Sequence, residues 1–167
     1  MLAATLVASC GKIPKDLSEQ SVDELKEGID SKHPAVYYVL AKKLFASGEK
    51  DQAVRWFYIG QLRYRYHLAT NPNLEPSGDP ALFASFSEVI GRPLNEYAFG
   101  DIPTLANTLD EVLSWDKSQT IPLRPSPRLP RNTEEIRSGL EKLKSHILEN
   151  QDDIKKQREA NGLHNRN

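Results

Sequence analysis

Four neighbouring residues offer the chemistry best suited to recognition. The stretch Gln61-Leu62-Arg63-Tyr64-Arg65-Tyr66-His67 alternates basic and aromatic side chains. Arg and Tyr are the types that concentrate binding energy at protein interfaces, so Arg63, Tyr64, Arg65 and Tyr66 are the candidate partner-binding residues. The same interleaving occurs in nucleic-acid sites, but those sit on strongly basic faces. A formal net charge of −1 argues against that use. On a helix these residues also spread over all faces, so part of the set is buried whatever its role.

No spacing assembles a catalytic set. Ser85 and Ser87 lie on an apolar run without a Gly-x-Ser-x-Gly turn, so a nucleophile elbow is not expected. Gly-rich phosphate loops are absent. Glu96 and Asp101 flank turn positions, and Asp101 is better suited to capping a helix. His33, His67, His146 and His164 show no metal-ligand spacing, such as two histidines four apart on one helix. A pair brought together by the fold stays open. A single cysteine excludes an intramolecular disulfide framework and a multi-cysteine zinc site. The expectation is a non-enzymatic binding protein without cofactor or metal.

That cysteine has another use. Val7-Ala8-Ser9-Cys10 resembles a bacterial lipobox, in which small residues precede a cysteine that becomes lipidated. It follows the apolar residues Leu2 to Val7, although the run is short and no Lys or Arg precedes it, as export signals require. A start placed too far downstream would account for both departures. The expectation is an exported chain tethered to a bacterial membrane through Cys10 alone, because no later stretch is long and apolar enough to span a bilayer.

Helices must position these residues. Residues 1–20 read as signal remnant and spacer, and 21–118 as the packed domain. Ser21 and Glu24 form a capping box that opens a short helix. After His33-Pro34, the residues Val36, Tyr37, Val39, Leu40, Leu44 and Phe45 recur at helical steps, until Ser47-Gly48 stops them. Asp51 is placed to cap the next helix, which carries Ala53, Val54, Trp56, Phe57, Gly60 and Leu62 onward to about Ala69. Asn71 to Pro80 is a turn-rich loop. A helix follows from Asp79-Pro80 and ends at Gly91, and Pro93 begins a short segment. Gly100-Asp101 leads into Leu105, Leu109, Val112, Leu113 and Trp115. Every apolar run has helical period, so the fold class is all-α.

Pro122, Pro125, Pro127 and Pro130 make 119–131 an extended linker. Asn132 and Glu135 form a second capping box before one long C-terminal helix over 132–160, with 161–167 as a loose tail. Ile136, Leu140, Leu143, Ile147 and Ile154 make an apolar stripe on that helix. It must be covered by the globular part, a second copy or a partner.

Tyr37-x-x-Leu40-Ala41-x-x-Leu44, with Ala53, Phe57 and Gly60 after Gly48, resembles one tetratricopeptide-type hairpin, with small residues where the helices touch. It lacks the Pro after the second helix, and no second unit is readable. The run Trp56 to Arg65, with Asn71-Pro72-Asn73-Leu74, Asn95-Glu96-Tyr97-Ala98 and Arg158-Glu159-Ala160-Asn161-Gly162-Leu163, is similar to small proteobacterial envelope proteins. These in turn resemble immunity proteins encoded beside type VI secretion phospholipase effectors. The resemblance implies a periplasmic protein whose partner is such an effector and whose action is to block it. The alternative is a tetratricopeptide-like adaptor or scaffold lipoprotein in the envelope.

Overall fold

The computed structural model describes residues 15–118 and 133–167. The Cys10 lipidation motif and the proline-rich linker lie outside the described residues. Within them the chain is helical and contains no strand: α1 (Lys15–Glu19), α2 (Val22–Lys26), α3 (Ala35–Ala46), α4 (Lys50–Thr70), α5 (Asp79–Phe86), α6 (Arg92–Ala98), α7 (Ile102–Ser118), α8 (Thr133–Glu149) and α9 (Gln151–Ala160).

The Ser21 capping box forms in full. Ser21 N–H donates to Glu24 Oε2 at 2.7 Å, and Glu24 N–H donates to Ser21 Oγ at 3.3 Å. It opens a short helix, as expected, which stops at Lys26 because Gly28 takes a left-handed φ of 58° before a 3-10 turn over Ile29–Ser31. Helices α3 and α4 make the predicted antiparallel hairpin. Gly48, at φ 92°, closes α3 with Glu49 N–H bonded to Leu44 C=O at 2.9 Å and Gly48 N–H to Phe45 C=O at 3.2 Å. That is the Schellman pattern, which needs a left-handed residue most easily supplied by glycine. Asp51 is not the cap of α4. Glu49 holds that position, and Asp51 instead accepts a hydrogen bond from the Tyr97 hydroxyl at 2.9 Å.

Small residues set the hairpin spacing. Ala41 and Ala53 are fully buried, and a Cβ on Gly60 would stand 2.7 Å from Tyr37 Cβ. Around this crossing lies an aromatic core. Tyr38 stacks on Phe86 with centroids 5.4 Å apart and meets Phe57 edge-on at 5.5 Å. Helix α3 is buried on almost every side from Ala35 to Ala41, because α1, α2 and α4 all pack against it.

Gly91 does not end a helix. The backbone continues from α5 through a π-helical segment, Ser87–Gly91, directly into α6. Two causes converge there. Pro93 has no N–H to give the Val89 carbonyl, and its ring crowds that carbonyl in a regular helix; a π turn widens the register and relieves it. Gly91 also sits against Phe57, where a Cβ would lie 2.8 Å from Phe57 Cζ. The glycine serves tertiary contact here, not termination.

The long C-terminal helix is two helices. Asn150 interrupts it, with its side chain donating to the His146 carbonyl at 2.8 Å. Short polar side chains compete with helical hydrogen bonds in this way. The globular part covers the apolar stripe. Leu140 and Ile147 are buried, Ile136, Leu143 and Ile154 pack partly, and α8 lies on α7 and α4. The last residues are not a loose tail either. Gly162 at φ 73° ends α9 with a second Schellman pair. The Arg158 guanidinium then donates to Glu96 C=O at 2.7 Å, His164 C=O at 2.8 Å and Asn165 Oδ1 at 3.1 Å. Arg166 stacks its guanidinium 3.6 Å from the Tyr97 ring centroid.

Candidate functional site

The stretch from Arg63 to Tyr66 occupies the second half of α4, where α5, α7 and α8 all pack on it. That surrounding decides the fate of each side chain. Tyr64 and Tyr66 are fully buried. Arg63 is only 8% exposed; its Nη2 lies 3.5 Å from Asp30 Oδ1, and its guanidinium sits 4.9 Å from the Trp115 ring centroid. Arg65 alone is exposed, and its Nη2 donates to Gln61 Oε1 at 3.3 Å. A four-residue docking surface therefore does not exist in this fold. The expectation fails because α3, α5, α6, α7 and α8 all pack on α4, which one helix's own periodicity cannot reveal.

The two tyrosines instead face internal carboxylates, and Tyr66 is hydrogen-bonded to its own. The Tyr66 hydroxyl donates to Asp116 Oδ2 at 2.9 Å, and Arg137 Nε donates to the same oxygen at 2.6 Å. Burial holds the Tyr66 phenol well above the ordinary range, with the Asp116 charge adding to it. Burial raises Tyr64 likewise, and the charge of Asp79 raises it further.

Asp79 is the centre of an arrangement that no sequence spacing announced. His67 comes from the last turns of α4, Asp79 from the first turn of α5, and His33 from the corner before α3. His67 Nε2 lies 2.6 Å from Asp79 Oδ2, and His33 Nε2 lies 3.2 Å from the same oxygen. The two imidazole rings meet edge-on with centroids 4.9 Å apart. Tyr64 walls them from the core side, 5.6 Å from His33 and 6.0 Å from His67. Burial works to raise the Asp79 carboxyl, but hydrogen bonds from His67 and His33 outweigh it and hold the group below the usual carboxylate range. The carboxylate is thus kept ionised and faces two imidazoles. Such a group can order protons or take a cation.

The remaining candidates have structural roles. Ser87 Oγ donates to the Phe83 carbonyl at 2.8 Å within its own helix. Asp101 caps α7 as expected, accepting from Thr104 N–H at 3.0 Å. No helix among the described residues is long and apolar enough to cross a membrane.

An uncharacterized protein of Haemophilus influenzae is similar to this chain, with 25% identity over 121 residues. The aligned region covers 70% of this chain and 45% of that protein, so the chain spans less than half the length of the relative it matches. No family model matches the sequence, and no solved structure matches the chain.

Proposed function

We propose that the protein acts by binding another protein: a periplasmic immunity protein, lipid-anchored through Cys10, that blocks a phospholipase-type effector of type VI secretion. The observation that supports this best is the ground of the α4–α5 loop. A tightly packed aromatic frame carries a loop over 71–78 that is exposed along most of its length, and recognition commonly sits on loops held by rigid scaffolds. Arg65 lies on the same end of α4. Beyond the loop, Val89 on the π-helical segment is 67% exposed, and π segments recur at functional sites. The partner's identity rests on the resemblance to envelope immunity proteins, and a membrane tether would raise the local concentration where a lipase acts.

The test is to identify the neighbouring gene and, if it encodes a phospholipase, to co-express that enzyme in the periplasm, scoring survival and measuring affinity by calorimetry. Protection with one tight partner is expected. Arg65→Ala and Val89→Asp should weaken binding while leaving thermal stability unchanged. Arg63→Ala is a folding variant by contrast, since it strips Asp30 and Trp115 of their neighbour. No binding and no protection by the wild type overturns the immunity reading. Several weak envelope partners instead would favour the adaptor.

A further inference from the structure

We infer that His33, His67 and Asp79 form a binding site for a divalent transition-metal ion of the zinc type. This does not depend on the identity of any protein partner. One ring nitrogen from each histidine and a carboxylate oxygen of Asp79 lie within 4.8 Å of one another. Two imidazoles and one carboxylate are a familiar three-residue ligand set for zinc, with a fourth position left to water or another ligand. Bonds of about 2.0–2.2 Å in a tetrahedron place ligand atoms roughly 3.3 Å apart. His33 Nε2 and Asp79 Oδ2 stand at 3.2 Å, already at that separation. His67 and Asp79, at 2.6 Å, must open by about 0.7 Å to reach the tetrahedral separation and admit the ion.

A second observation points into the same place. The Tyr64 hydroxyl is buried and points toward Asp79, close enough for that carboxylate to raise the phenol by its charge and by a hydrogen-bonding approach, yet it makes no hydrogen bond of good geometry. A buried hydroxyl without a partner is costly. A water on the open metal position would give it one. Tyr64 in turn packs on Phe83 at 5.0 Å, so the site has an apolar inner wall of the kind that tunes metal centres.

The hydrogen bonds define what binding must change. His33 Nδ1 accepts from Ala35 N–H at 3.2 Å, so its proton sits on Nε2 and points to Asp79. A metal at Nε2 displaces that proton and the ring then carries its hydrogen on Nδ1, so the His33 ring must turn and the buried Ala35 N–H gives up its acceptor. The rest of the first turn of α3 is kept, since Val36 and Tyr37 N–H bond to the His33 and Pro34 carbonyls. His33 is 40% exposed and has room to turn. Because metal competes with protons for its ligand atoms, affinity falls as the solution becomes more acidic. His67 and Asp79 also bracket the loop over 71–78, so the ion would lock the loop's two ends together and to the corner before α3.

Zinc should be titrated calorimetrically into the full chain carrying Cys10→Ser, which removes a competing thiol, near neutral pH. One equivalent is expected to bind, and cobalt in its place should give the visible absorption of a four-coordinate site. His67→Gln and Asp79→Asn should each weaken zinc by about 100-fold or more, with the fold of each variant verified by its melting curve in chelator. His146→Ala and His164→Ala should change nothing. Absence of zinc binding, undiminished affinity in His67→Gln and Asp79→Asn, or loss of binding in His146→Ala each overturns the site.

Discussion

The Tyr66 hydroxyl and the Asp116 carboxylate meet at 2.9 Å inside the seam between α4 and α7, and Arg137 reaches them from α8. Asp116 is fully buried, and its second oxygen has no hydrogen-bond partner. The carboxylate therefore depends on two donors from two other helices. Tyr66→Phe should cost about 1–2 kcal/mol by removing one of them. Arg137→Met should cost about 3–5 kcal/mol, because it leaves a buried charge without its counter-ion. Urea unfolding of both variants checks the order. Equal and small losses would show that Arg137 does not hold Asp116 in solution.

The α3–α4 crossing makes a second prediction. Gly60→Ala puts a methyl where Tyr37 Cβ already stands, and Ala53→Leu fills space that is fully occupied. Each should destabilise by about 1–3 kcal/mol through overpacking, read as a lower denaturation midpoint at unchanged slope. Midpoints that do not move would mean the helices sit further apart than described.

Acid should act through Asp79. Its folded-state acidity lies below the ordinary carboxylate value, so it contributes stability that is present above about pH 4 and lost as pH falls through the folded value. In metal-free buffer, the stability difference between wild type and Asp79→Asn is expected to be largest near neutrality and to shrink in acid. A difference that stays constant across that window contradicts the assignment.

Alkali should act through the buried phenols. Tyr37, Tyr38, Tyr58, Tyr64 and Tyr66 are all raised, chiefly by burial. The neutral form is favoured in the folded state, so their contribution is intact below about pH 10 and is lost as pH rises beyond it. Ultraviolet titration should show one early phenol class and a late class that ionises together with loss of helical circular dichroism. Smooth titration of all six tyrosines with the fold intact would contradict their burial.

Local signals were legible and tertiary ones were not. Ser21 with Glu24, the stop at Gly48 and the cap at Asp101 each act within a few residues, so sequence and structure agree. Ala41, Ala53 and Gly60 were readable as a close crossing because one hairpin contains both sides of it. Gly91 misled, since its want of a side chain serves Phe57 and not a chain reversal. The break at Asn150 is hidden in the sequence because the apolar stripe runs on across it. Tyr64 and Tyr66 misled because burial depends on helices that arrive far later in the chain. His33 and Asp79 lie 46 positions apart, and His67 and Asp79 lie 12 apart on separate helices. No helical or loop spacing encodes that meeting.

The glycine-tight α3–α4 hairpin also sets an expected order of assembly. Its two helices are joined by a short Schellman turn, so little chain entropy is spent in bringing them together. The Tyr66–Asp116 link spans 50 positions and needs α7, and then α8, to have arrived. The hairpin should form early on the path to the native state, and the α4–α7–α8 latch late. Substitutions at Gly60 or Ala53 would then mainly slow folding, whereas Tyr66→Phe and Arg137→Met would mainly speed unfolding. Stopped-flow kinetics on those variants would read the order directly, and the reverse partition would refute it. On this order the persistence time of the native state rests on a carboxylate at the far end of the molecule's assembly, not on the tightest contact within it.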